Sequence, residues 1–213
     1  MASIESLVQP GRCALVTMEI QRGVVGDLAC IPSLGRAVAE SGMLARAGQL
    51  ARAARGAGVR VIHCTAAFRR DRAGSFRNVP MVNALLQNPE HLVAGSPEAE
   101  LVPELALAPE DLVSERLHGM SPFTHTALEA MLRSEGATAL VATGVSLNIG
   151  ILGLTIEAVN RGFDVVIPRD CVAGFPAEYG ELVLENTLSK LAALSDSAAI
   201  AALWARAPRR QGS

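Results

Sequence analysis

The sequence predicts an α/β domain whose parallel sheet is covered by helices on both faces. Short apolar runs alternate with segments of helical periodicity along the 213 residues. The strand candidates are almost continuously apolar, as strands buried on both faces must be. Glycines stand where helices have to stop, at Gly58 and Gly162.

In chain order, residues 13–18 read as the first strand and 35–57 as a helix stopped by Gly58. Residues 59–64 form the second strand and 112–115 the third. Residues 122–135 form a helix with Pro122 in its first turn, where a missing N–H costs nothing. Residues 138–143 are the fourth strand, 148–161 a helix, 163–168 the fifth strand and 177–191 another helix. A short strand around Ala193 and a helix over 197–205 complete the pattern. The polar tail, 208–213, is expected to fray. One long irregular stretch, 65–109, holds Arg69, Arg70, Asp71, Arg72, Phe76, Arg77 and several prolines. A stretch of that length inside a compact domain is usually a functional loop or an interface. With no internal repeat and no linker, residues 1–213 read as one domain.

Composition narrows the function. Half the residues are hydrophobic but only 3% are aromatic, so Ala, Val, Leu and Ile must build the core. A formal charge of −2 argues against a general nucleic-acid or membrane-surface binder. The first residues lack the basic start and apolar run of a secretory signal, and no apolar run approaches membrane-spanning length. Cys13, Cys30, Cys64 and Cys171 are scattered, without CxxC or metal-ligand spacing, and read as reduced thiols of a cytoplasmic protein. Lys190 is the sole lysine and falls near the end of a late helix. A mechanism that needs a lysine is thereby disfavoured.

The most informative segment is Gly144-Val145-Ser146-Leu147-Asn148-Ile149-Gly150, where an apolar strand runs into a glycine and a helical pattern follows. A strand-to-helix turn gathers unpaired N–H groups and the positive end of a helix dipole, a place where α/β enzymes put a nucleophile or an anion. The segment resembles the nucleophile turn of the isochorismatase-like, or cysteine hydrolase, superfamily, in which a cysteine stands at the position of Gly150. Three other segments support the resemblance. Residues 14–21, with Glu19-Ile20-Gln21, are similar to the family's first strand, which ends in Asp followed by x-Gln. Residues 121–128 are similar to its Ser-x-Phe-x-x-Thr-x-Leu helix start. Residues 161–170 are similar to its Gly-aromatic-x-Val strand ending in Asp. Together they span most of the chain, in the family's order. The resemblance implies a three-layer α/β/α, Rossmann-like hydrolase fold with a parallel sheet of about six strands. It also implies a homo-oligomer, to which the Ala-rich helices are suited.

The family's catalytic set is an Asp after the first strand, a Lys after the third, and the Cys. Here Glu19, Arg116 (or Leu117, one residue along) and Gly150 stand in those places. A thioester mechanism needs the thiol, so amide hydrolysis through a covalent intermediate is disfavoured. Glycine at this position is known in true isochorismatases, which hydrolyse a vinyl ether. Their reaction needs a carboxylic acid to protonate the enol ether carbon, after which water adds to a reactive oxocarbenium ion. Glu19 is the candidate acid, provided that burial raises its pKa. Its plain alternative is a surface glutamate after a strand.

Around it, Arg116 is a candidate electrostatic clamp and His118 a titratable neighbour. Each has the alternative of merely facing solvent. Ser146 and Gly150 are candidate backbone N–H donors to an oxyanion, with the family's non-proline cis peptide falling at Val145-Ser146. Asn148 reads as a helix cap. Phe123 is a candidate for the substrate pocket by its place in the 121–128 segment. Arg69 and Arg77, with Arg70 and Arg72, are candidates to grip a substrate carboxylate, against the default of a solvated loop. Cys64 ends the second strand as a candidate displaced nucleophile, with Cys171 a weaker one. Free cysteine is more often a small core residue. The zinc-binding members hold the metal with one Asp and three His; only His63 and His91 lie near that region, so no metal and no cofactor are expected. The favoured reading is a hydrolase for a small, carboxylate-bearing molecule. One rival is an inactive member kept as a binding or regulatory module. The other is an amidohydrolase that uses Cys64.

Overall fold

A computed structural model describes residues 2–207, so the expectation of a frayed tail at 208–213 lies outside the described residues. In chain order the elements are α1 (Ile4–Leu7), β1 (Cys13–Met18), α2 (Arg22–Val25), α3 (Pro32–Ser41), α4 (Met43–Gly56), β2 (Arg60–Ala66), α5 (Pro80–Leu85) and β3 (Leu112–Arg116). Then come α6 (Leu128–Ser134), β4 (Ala139–Val145), α7 (Leu152–Asn160), β5 (Asp164–Pro168), β6 (Val172–Ala173), α8 (Ala177–Asn186), β7 (Ala193–Ser195) and α9 (Ser197–Arg206). The sheet is seven-stranded, in the order β3-β2-β1-β4-β5-β7, with the two-residue β6 beside β4. Every pairing is parallel.

Strand alternation sends successive side chains to opposite faces. Leu15, Val61 and Val141 pack with α3, α4 and α9 on one side. Val16, Ile62 and Leu140 pack with α6, α7 and α8 on the other. The result is the expected three-layer sandwich. Trp204 of α9 is buried and donates from Nε1 to the Val8 carbonyl at 2.7 Å, which ties the last helix to the first residues.

Several boundaries differ from the sequence reading. The helix expected over 35–57 is two helices, α3 and α4, because Gly42 turns left-handed at φ 67° between them. The helix expected from Pro122 begins only at Leu128, since His125 sits at φ 55°, outside the helical region. The helix expected to reach 191 ends at Asn186, and Lys190 falls in a separate single turn. β3 and β4 run to Arg116 and Val145, because ladder pairing continues to Ala66 opposite Arg116 and to Ala173 opposite Val145. The short β6 was not legible as a strand.

One buried polar network stands on the α4 face. Thr17 Oγ1 lies 2.8 Å from His63 Nδ1, and His63 Nε2 lies 3.2 Å from Asp111 Oδ2. Arg55 of α4 grips the same carboxylate with two bonds at 3.0 and 2.7 Å. Burial lowers the His63 pKa. Burial alone would raise that of Asp111, but Arg55, the Ala108 amide and His63 hold it below the usual range.

Candidate active site

Open parallel sheets bind ligands beyond the carboxyl ends of their strands. Here a cleft opens beyond β1, β2, β3 and β4, enclosing about 790 Å³ of space that is partly continuous with solvent. Its wall includes Glu19, Arg116, His118, Ser146 and Gly150, five of the residues expected from sequence.

Glu19 follows directly on β1. Its backbone is left-handed, at φ 51°, while its N–H bonds the Cys64 carbonyl at 2.9 Å. A non-glycine residue held there costs about 1–3 kcal/mol and turns the side chain out of the strand line. The carboxyl meets the guanidinium of Arg116, the last residue of β3, in a direct hydrogen-bonded ion pair. Arg116 is also fixed through Nε to the Gly119 carbonyl at 3.0 Å. Its other terminal nitrogen, Nη1, is buried without a partner. Of the two residues expected at the family's lysine position, Arg116 faces Glu19, and Leu117 forms part of the wall.

The turn after β4 explains the glycines. At Gly144, φ is 115°, and an added Cβ would lie 2.1 Å from the Met18 carbonyl oxygen, so β1 and β4 approach as no side chain would permit. The peptide Val145-Ser146 is cis. Residues Leu147–Ile151 form a π-type turn, with the Ile151 N–H bonded to the Ser146 carbonyl at 2.9 Å. Such turns carry one residue more than an α-turn. The extra residue packs Gly150 over Val145, and a Cβ on Gly150 would stand 2.4 Å from the Val145 carbonyl oxygen. The position lacks a nucleophile and also the space for one. Asn148 lies inside this turn and does not cap a helix; α7 starts only at Leu152, without a side-chain cap bond.

His118 is exposed, 3.2 Å from the Gly74 carbonyl through Nδ1, and packs edge-on to Phe76 with centroids 5.0 Å apart. The remaining candidates lie elsewhere. Phe123 is buried against Phe163 in the core and carries the Arg161 guanidinium over its ring, because the irregular 121–127 segment turns it inward. Arg69 is exposed and paired with Asp71 at 2.7 Å, and Arg77 is exposed outside the wall. Cys64 points into the α6–α7 core, and burial pushes its thiol pKa up to about 12, the reverse of an activated nucleophile. Cys171 is buried and likewise raised to about 12.

Sequence reasoning missed three contributors. Gln21 is fully buried and clasps both backbone groups of Ala66, at 2.9 and 2.8 Å, and the Ala99 carbonyl at 2.8 Å. It locks the ends of β1 and β2 to the long loop and so fixes the floor on which Glu19 stands. His91 is buried in the wall, where burial lowers its pKa. The long stretch supplies the apolar wall itself, with Phe68, Phe76, Val82 and Leu92 in a small cluster of their own. Its length marked the stretch out, and the apolar residues spaced through it were the only sequence signal of the wall.

Against known proteins, the isochorismatase domain model matches residues 13–199. An isochorismatase of Bacillus subtilis is 33% identical over 101 residues, 47% of this chain and 32% of that protein. A phenazine biosynthesis protein of Pseudomonas aeruginosa is 29% identical over 99 residues, 46% of this chain and 47% of that protein. The match thus spans about a third to a half of the length of these curated relatives. An isochorismatase family protein of Burkholderia thailandensis superposes with a TM-score of 0.74 at 27% identity, covering 92% of this chain and 96% of the other. With a family model that covers residues 13–199, the chain belongs to the isochorismatase family.

Proposed function

We propose that the protein hydrolyses a small molecule without a covalent enzyme intermediate, with Glu19 as acid and base. The observation that supports it is the pairing of Glu19 with Arg116 in an open cleft, beside a turn with no room for a side chain at Gly150. Of the bonds hydrolysed in this family, a vinyl ether fits best, as the name of the Bacillus relative also suggests. Glu19 first takes up a proton from solvent, against the Arg116 pairing that favours its carboxylate. That proton passes to the enol ether carbon, water adds to the oxocarbenium carbon, and a proton returns to Glu19. The adduct then breaks its C–O bond as its hydroxyl proton is passed to the leaving oxygen, which releases an alcohol and a carbonyl compound. Arginine keeps its proton, so Arg116 orients Glu19 and the substrate oxygen, and the proton that moves is carried by Glu19. Ser146 and His118 border the same space as substrate contacts.

A cysteine has no part in this reading. In a screen of vinyl ethers, amides and esters, Cys64→Ala should leave the turnover of any hit within about twofold of wild type. Loss of turnover in that variant, with the fold intact, would favour the amidohydrolase reading instead. The reading also includes self-association, through the helices on the α6–α8 face. Ile156, Val159, Tyr179 and Leu182 there are 40–55% exposed. A dimer or larger particle in light scattering is expected, and a monomer at micromolar concentration contradicts this part.

A further inference from the structure

We propose that the cleft takes an uncharged, mainly apolar substrate that presents a single hydrogen-bond acceptor to Arg116. This rests on the proposed function and names the substrate class of the same site.

Charge is the first argument. Among the described residues, Glu19 and Arg116 are the carboxylate and the guanidinium of the wall and neutralise one another, and His91 and His118 are its imidazoles. Burial lowers the His91 pKa, which favours its neutral form near pH 7. A carboxylate entering this space would make the site net negative. It would also have to compete with Glu19 for the one guanidinium. Unpaired charge in an apolar site is costly.

The arginines of the long stretch do not relieve that cost: three are committed to folding the loop, and Arg77 is exposed outside the wall. Arg69 pairs with Asp71 at 2.7 Å, and Arg70 with Glu90 at 3.0 Å. Arg72 donates to the carbonyls of His91, Asn88 and Pro89 at 2.9, 3.1 and 2.7 Å. None of these side chains lines the cleft. The sequence expectation of a carboxylate-bearing substrate rested on them and on Arg116, which is paired with Glu19.

Acceptor capacity is the second argument. Arg116 has its Nε on Gly119, one terminal nitrogen on Glu19, and Nη1 with no partner although the side chain is only 7% exposed. A buried guanidinium N–H left unbonded is unusual in a folded protein. A carbonyl or ether oxygen on a ligand supplies what it lacks, without adding charge. Around that point the long loop and α5 contribute Phe68, Phe76, Met81 and Val82, a surface suited to hydrocarbon or aryl groups.

The test is calorimetric titration with matched probes: methyl phenylacetate, phenylacetate and phenylsuccinate. Wild type is expected to bind the neutral ester about tenfold more tightly than the monoacid, and the diacid more weakly still. Met81 is a wall residue and 37% exposed, so Met81→Lys is compatible with folding and places a cation in the cleft. That variant should reverse the order and favour phenylacetate. Tighter binding of either acid by wild type would overturn the proposal, as would no binding by methyl phenylacetate or by a panel of longer neutral esters and aryl ketones. Binding is read without turnover, so the two readings fail separately. Neutral ligands that bind while no compound is converted would leave the substrate class standing and remove the hydrolase reading. Conversion confined to carboxylates would do the opposite.

Discussion

At Gly150 the absence of a side chain is a property of the backbone as much as of the residue. The Val145 carbonyl oxygen lies 2.4 Å from where a Cβ would sit, and the Met18 side chain lies 3.2 Å from it. Gly150→Ala is therefore expected to destabilise the fold by about 1–3 kcal/mol, as overpacking does. For a chain of this size that is about 2–4 °C of Tm for each kcal/mol. Gly150→Cys should do the same and gain no amidase activity, because the turn has to move before a thiol can reach the cleft. An unchanged Tm in both variants would contradict the geometry. The residue itself was legible in the sequence, as was the position of Glu19. The crowding was not, because it arises from a π-type turn that no local residue pattern announced. Arg116 was legible only to within one residue, since strand ends are marked by ladder bonds and not by side-chain polarity.

Among the elements, β1, β2, β3 and α4 share one buried charge. Asp111 serves Arg55 of α4, His63 of β2 and the amide of Ala108. The pH dependence follows from two signs. Burial holds His63 and His91 below their ordinary 6.5, so the unfolded chain binds the additional protons. Their contribution is complete above pH 6.5 and declines as the pH falls through that value. Asp111 is held below its ordinary 3.8, so its contribution is complete above pH 3.8 and is lost beneath it. Thermal unfolding followed across pH 3 to 8 should thus show a fall that begins near 6.5, reduced in His63→Gln and in His91→Gln. A flat profile between pH 5 and 7 in wild type would contradict the buried neutral imidazoles. Strand positions were readable because each apolar run is bounded by glycines or polar residues. The break at Gly42 and the late start of α6 were not, since both depend on single residues turning left-handed. The length of the stretch over 65–109 pointed to a functional loop or an interface, but its arginines are a stronger local pattern than the spaced apolar residues that form the wall.

For the whole molecule, the parallel sheet and its two helical layers place the chemistry before any side chain is considered. Glu19, Arg116 and the Gly150 turn come from the ends of β1, β3 and β4, far apart in sequence and adjacent across one cleft. The three positions that the resemblance marks as catalytic meet at this cleft, each with a different residue from the one the resemblance implies. The central claim is that Glu19 moves the proton. It is tested most directly by comparing binding and single-turnover conversion of one substrate by wild type and Glu19→Gln. Unchanged affinity with conversion slowed by about 10²–10⁴-fold is the predicted result. Conversion at the wild-type rate by Glu19→Gln would contradict it.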